Sequence, residues 1–249
     1  MDKPGIETAD SRWKSLYRAG GVAPLVALAF YLTELVAIAM GGLAGEPYPT
    51  SIGDWFSLLQ RNRILGLLYL NALDIFSIAL LGVMFLALHR ALKQSDESYV
   101  TIAAFFAFVG IAVFVAPRAV VTLALLALGD RYAAATTETQ RATLLTGGEA
   151  FSALGQATPQ TTGFFFVAVA VLILSVVMLR SKVFNKATAY VGILTGVITL
   201  ANHISLLIVP VLANPLTGIS GPFWIVWWIL ISLRLLKLGR TEEDAPQQS

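Results

Sequence analysis

Residues Val100–Gly129 read VTIAAFFAFVGIAVFVAPRAVVTLALLALG, and Arg118 is the single charged side chain in that stretch. About 20 largely apolar residues in a helix cross a hydrocarbon core about 30 Å thick, so the stretch is long enough to span a bilayer. It lacks the alternation and the ~10-residue segment length of barrel strands. In lipid every backbone polar group must be bonded within its own segment, which leaves a helix. Outward from it, Gly21–Leu43, Ile64–Leu88, Gly163–Leu179, Ala187–Ala213 and Ile219–Leu238 have the same character. The expected fold class is therefore all-α: a polytopic integral membrane helix bundle with about six transmembrane helices over residues 21–238. The fourth span is the shortest and is expected to start inside the polar run Thr158–Thr162.

Composition agrees. Hydrophobic residues make up 57% of the chain, charged residues 13%, and mean hydropathy is +0.75, whereas soluble domains carry about 25% charged residues. A net charge of +2, without a long Lys/Arg run, excludes a phosphate-tracking surface, so no nucleic-acid partner is expected. The chain has no cysteine, which removes disulfides, thiolate metal sites and cysteine nucleophiles. Ala37-Ile38-Ala39 looks like a signal cleavage site. The apolar stretch around it is longer than a signal's core and carries Glu34, so the first helix is expected to be retained as an anchor.

Lys and Arg favour the cytoplasmic side of a membrane. With the N-terminus inside, twelve of the 17 basic residues fall on inner segments, four (Arg61, Arg63, Arg131, Arg141) on outer ones, and Arg118 within a span. This predicts a cytoplasmic N-terminal segment 1–20, a disordered cytoplasmic tail 239–249, and both termini in the cytoplasm. Two outer segments carry structure of their own. Ser51 and Asp54 have the spacing of a capping box, followed by Trp55, Leu58 and Leu59 on one face, which predicts a helix lying on the membrane surface. Residues 130–162 form the longest non-spanning segment. Leu144, Gly147, Phe151 and Leu154 recur there at helical spacing, Gly147-Gly148 is a candidate break, and Glu138 and Arg141 are placed to pair. The segment is read as an extracytoplasmic helical cap, with a mobile amphipathic loop as the alternative.

The stretch Tyr132-Ala133-Ala134-Ala135-Thr136-Thr137-Glu138 with Arg141, and Phe184-Asn185-Lys186-Ala187-Thr188-Ala189-Tyr190-Val191-Gly192 entering the fifth span, resemble the domain-of-unknown-function 4386 family of bacterial membrane proteins. The similarity runs from about Tyr17 to Leu236. It implies a bacterial cytoplasmic (inner) membrane protein of five to seven spans. It implies no activity, cofactor or catalytic residue.

An ionisable group at the bilayer centre costs at least ~2.5–3.5 kcal/mol on insertion scales, so each one needs a reason. Glu34, Asp74, Arg118 and His203 lie well inside spans, accompanied by Asn71 and Asn202. At 1.5 Å per residue all four ionisable groups fall between the midplane and the outer third. Asn71, Asp74 and Ser77 are spaced by three on one helical face. Gly192, Gly196, Thr199 and His203 share another, where the glycines admit a close helix neighbour. Pro117 is expected to kink the third span beside Arg118. Asp74 or Glu34 is the expected ion-pair partner of Arg118, and an interhelical hydrogen bond is the plain role for His203. Trp224, Trp227 and Trp228 read as interfacial anchors and packing residues.

Three function classes follow. The favoured one binds a small ligand, proton or ion in a hydrated outer-half pocket lined by Glu34, Asp74, Arg118 and His203, as a transport, permeation or sensing component. The second is an intramembrane enzyme using Glu34, Asp74 and His203 as acid–base groups or metal ligands. In the third, the cluster is structural and the protein acts through partners. No H-E-x-x-H, G-x-S-x-G or phosphate-loop motif is present, so the non-enzymatic reading is preferred and no cofactor or metal is expected. The expected partners are the lipid bilayer and a small molecule or ion; nothing in the sequence fixes an oligomeric state.

Overall fold

The computed structural model describes residues 11–157 and 162–240. The expectations for the two tails, up to residue 10 and from residue 241, and for the polar run at 158–161 lie outside the described residues. The helices are α1 (Lys14–Leu43), α2 (Ile52–Arg61), α3 (Arg63–Tyr69), α4 (Asp74–Leu92), α5 (Glu97–Ala134), α6 (Glu138–Ala157), α7 (Phe164–Arg180), α8 (Lys186–Ile208) and α9 (Ala213–Gly239). Five of them, α1, α4, α5, α8 and α9, are long and apolar enough to cross a membrane, and α7 is a shorter apolar helix. The fold is an all-α polytopic membrane bundle.

These six helices close a ring in chain order: α1 packs on α4, α4 on α5, α5 on α7, α7 on α8, α8 on α9, and α9 back on α1. In lipid there is little hydrophobic drive between helices, so contact depends on backbones coming close. Gly20 and Gly21 supply that where the ring shuts. A Cβ on Gly20 would stand 2.3 Å from the Ala87 Cβ of α4, and one on Gly21 would stand 2.9 Å from the backbone nitrogen of Leu236 of α9. Tyr17, Phe85, Leu88, Val171, Trp227 and Ile231 are buried inside the ring. Leu35, Phe105, Leu123 and Leu207 are exposed on its outside, the arrangement expected where lipid replaces water as the neighbour.

Helices α2, α3 and α6 gather at one end, here the capped end. The opposite, basic end carries Arg18, Arg90, Lys93, Arg180, Lys182, Arg234 and Lys237. Helix α5 has 38 residues, about 57 Å at 1.5 Å per residue, and so outruns a hydrocarbon core of about 30 Å. Its surplus length carries α2 and α6.

Several expectations are corrected. The span expected at Ile64–Leu88 is two helices, α3 and α4, with a break over Leu70–Leu73. The helix α2 does not rest its apolar face on lipid: Trp55, Phe56, Leu58 and Leu59 are buried because that face packs on α5 and α3. Gly147-Gly148 does not split the cap, which is the continuous helix α6. The face that α6 buries lies about one residue beyond the expected one. Gly148 meets Ile52 and Phe56, and Gly155 meets Val121, while Leu154 is exposed. Trp224, Trp227 and Trp228 are buried and Trp224 contacts both of the others, so of the two expected roles, anchoring and packing, they take the second. Helix α1 begins at Lys14, inside the segment 1–20 expected to precede it. The capping box is present, with Ser51 and Asp54 bonded reciprocally, and Arg141 pairs with Glu138 at 3.1 Å. Helix α5 continues through Pro117 without interruption.

Candidate functional site

The break between α3 and α4 organises the capped end. Asn71 adopts φ +53°, in the left-handed region where Asn is the usual alternative to Gly. The Ala72 N–H donates to the Leu67 carbonyl at 3.0 Å and the Asn71 N–H to the Leu68 carbonyl at 3.0 Å. This pair of bonds is the Schellman motif, which closes a helix by satisfying its last carbonyls. The Leu73 N–H at the start of α4 instead donates to the Glu34 carboxylate of α1 at 2.7 Å. Glu34 is 3% exposed, so a buried acid is matched to a part-buried backbone donor with no other partner among the described residues. Asn71 is thus not part of a helical stripe with Asp74 and Ser77, because it lies in the break.

Asp74 occupies the first turn of α4. Its carboxylate stands 4.0 Å from Arg118 of α5, beyond hydrogen-bond length. Both Asp74 and Arg118 are within electrostatic range of Glu34. The Arg118 guanidinium lies 5.5 Å from the centre of the Phe114 ring, a favourable cation–π placement, and its Nε is buried without a hydrogen bond. Of the two acids offered by the sequence, Asp74 is the ion-pair partner, at long range.

Arg118 lines a cavity of about 860 Å³ between the linker before α2, the α3–α4 break, α5 and the cap α6. Asn71 also lines it; Glu34, Asp74 and His203 do not. One wall is aromatic: Tyr48 lies edge-on to Trp55, with ring centres 5.3 Å apart, and stacks on Tyr69 at 5.4 Å. Tyr69 donates to the Glu46 carbonyl at 2.8 Å, and Arg61 pairs with the Glu46 carboxylate, which ties the linker down. Glu149 and Ser152 of α6 complete the opposite side. Tyr48 is 49% exposed overall, with its hydroxyl 3.4 Å from the Tyr69 carbonyl. Burial raises its phenol above the ordinary range, and the nearby Arg118 charge opposes that. At the rim, bonds from the Ser51 hydroxyl (2.7 Å) and backbone N–H (3.0 Å) to Asp54 hold that carboxyl below its usual range.

Asn202 and His203 belong to a different group, on α8 against α9. The His203 Nδ1 lies 2.6 Å from the Thr199 carbonyl. Trp224 donates to the Thr199 hydroxyl at 2.9 Å, and Asn202 donates to the Thr217 hydroxyl at 3.0 Å. Below them the glycine face does what its spacing predicts. A Cβ on Gly192 would lie 2.1 Å from the Ser175 hydroxyl and 2.5 Å from the Trp227 indole nitrogen, and one on Gly196 would lie 2.4 Å from Leu172. Between the two polar groups stand Phe114, Phe164 and Trp224, with successive ring centres 5.2 and 5.8 Å apart. The shared depth of the four ionisable residues therefore does not gather them into one pocket. Among the described residues no three His, Asp or Glu side chains stand close enough to hold a metal ion, and Glu34, Asp74 and His203 form no such set.

Residues 60–236 match the family described as Domain of unknown function (DUF4386). The chain belongs to this family. The match starts after most of α2, so α1, which supplies Glu34, and the Tyr48–Trp55 side of the cavity precede the DUF4386 region. None of the curated proteins and none of the solved structures compared with the chain matches it. The DUF4386 description names no chemistry, so geometry alone marks the cavity. Tyr48, Trp55, Tyr69, Glu149 and Ser152 were not singled out as site residues from the sequence. The one signal for them was the Ser51 capping box, which fixes where the linker turns.

Proposed function

We infer that this DUF4386 protein binds a small solute carrying an anionic group in the capped-end cavity, and serves as a transport, permeation or sensing component. One observation carries the reading. Arg118 reaches a cavity of about 860 Å³ with its Nε unbonded and its ion-pair partner at 4.0 Å. A guanidinium offers five N–H donors in a planar fork suited to carboxylate or phosphate, and a long ion pair leaves most of them for a ligand. The volume falls in the range of small-molecule pockets, about 300–1,000 Å³, and the Tyr48–Trp55–Tyr69 wall supplies the apolar body that such pockets combine with a few polar groups. Glu149 stands on the cap side, where a solute's cationic group would meet it. The Lys/Arg distribution supports both termini in the cytoplasm and the cavity facing outward, and the likeness to this family supports a bacterial cytoplasmic membrane.

The test uses the absence of native cysteine. Ser152→Cys places a thiol on the cavity wall. It should react several-fold faster with a small anionic thiosulfonate than with a cationic one of equal size, because Arg118 attracts the anion. Adding Arg118→Gln should abolish that preference while leaving the thiol reactive. An inert thiol in folded protein, or a preference unchanged by Arg118→Gln, would overturn the reading.

A further inference from the structure

At the basic end, a second cavity of about 400 Å³ lies between the α7–α8 turn and the last turns of α9. Lys182, Arg234 and Lys237 line it, and among the described residues no acidic side chain does. Arg234 donates through Nε to the Val183 carbonyl, which fixes the guanidinium plane on the buried Val183–Phe184 floor. None of the three cations forms an ion pair among the described residues. Three like charges held together without a counter-charge repel one another, so the groove favours an anion.

The order of residues along α9 says what kind. Leu230, Leu233, Arg234 and Lys237 follow the i, i+3, i+4, i+7 rule and share one face of the helix. Leu233 is 59% exposed. Over about 10 Å along the axis this face passes from leucine to arginine and lysine toward the basic end. An acyl chain followed by a phosphate group has the same polarity sequence at the same scale. Basic pockets between membrane helices recognise acidic headgroups on this principle. We propose that this groove is a binding site for an anionic phospholipid, with Lys182, Arg234 and Lys237 around the phosphate and Leu230 and Leu233 against an acyl chain. The site is independent of the capped-end cavity, which lies at the other end of the bundle.

The experiment takes the purified full chain in a neutral detergent and titrates phosphatidylglycerol, phosphatidylcholine and inorganic phosphate separately. Bound lipid is followed by native mass spectrometry and stability by melting temperature. Phosphatidylglycerol should bind and raise the melting temperature more than phosphatidylcholine. Each lysine near an anionic surface contributes about fivefold, so Lys182→Gln with Lys237→Gln should weaken phosphatidylglycerol binding roughly 25-fold if the two act independently. Both lysines are exposed and should not be needed for folding; Arg234 is left intact because it holds the Val183 carbonyl. Lys93→Gln removes one positive charge at the same end but outside the groove, where Lys93 pairs with Glu97, and should leave lipid binding unchanged. The proposal is overturned if the double variant binds phosphatidylglycerol as well as the wild type does, or if Lys93→Gln weakens it equally. It is also overturned if inorganic phosphate stabilises the protein as much as the lipid, which would make the groove a site for free phosphate.

Discussion

The polar groups around Arg118 and around His203 both lie within the helix bundle and are held in opposite ways. Around His203, side chains bond from helix to helix: Trp224 to Thr199 and Asn202 to Thr217 join α9 to α8, on a face whose glycines leave no room for a methyl group. Around Arg118, the strong bond goes from a broken backbone to a side chain, the Leu73 N–H donating to Glu34, and the guanidinium is left with a distant acid and a cavity. Burial of an ionisable side chain in a membrane protein does not by itself distinguish a fastening from a site. What distinguishes them is where the polar groups face: Arg118 opens on a cavity, whereas those around His203 face packed helices.

The largest expected effect tests how tight the two regions are. Gly192→Val drives a branched side chain into Ser175 and Trp227 and should cost about 1–3 kcal/mol or more, as overpacking does. Ser152→Val, on the cavity wall, should change stability by under about 1 kcal/mol. Reversible unfolding of both variants in mixed micelles measures the two; equal losses would erase the contrast.

A smaller effect separates the two acids near Arg118. Arg118→Leu leaves Asp74 without its partner and should destabilise the protein, and Asp74→Asn should then restore about 1–2 kcal/mol, the coupling expected of residues in contact. Glu34→Gln should restore less than Asp74→Asn does, because Glu34 also serves the Leu73 N–H. Greater rescue by Glu34→Gln, or strict additivity with Asp74→Asn, would show the ion pair to be assigned wrongly.

The smallest effect lies at the cavity rim. The capping bonds lower the folded pKa of Asp54 below an unfolded value of about 3.9. Its contribution is therefore fully present above that value and is lost as pH falls through the folded pKa. The stability difference between the wild type and Asp54→Ala should be constant above about pH 5 and shrink progressively below about pH 4. A difference that grows on acidification would reverse the sign and refute the capping role.

Much of the fold was legible because its causes are local or compositional. Lipid-length apolar runs appear as such in any window, and the Ser51–Asp54 box, the Glu138–Arg141 pair and the Gly192–Gly196 face rest on spacings of three or four residues. The break at Asn71 was not legible. It lies in LYLNALDIF, without Gly or Pro, and hydropathy does not register one residue turning left-handed. The site was only partly legible. Depth along each helix could be estimated, but rotation around the bundle could not, so His203 and Arg118 shared a layer on paper while aromatic rings separate them in the molecule. Nor could the apolar face of α2 be read as lipid-facing or protein-facing, since the same side chains satisfy either.

The length of α5 has a mechanical consequence. The helix that holds Arg118 also passes beneath the cap and runs on to the far end of the bundle, as one rod of about 57 Å at helical rise. Pivoted near one end, such a rod needs a tilt of only about 5° to carry its other end through about 5 Å. A displacement of α6 that tilted α5 as a unit would therefore also move Arg118 and the turn before Glu97 at the basic end of the bundle.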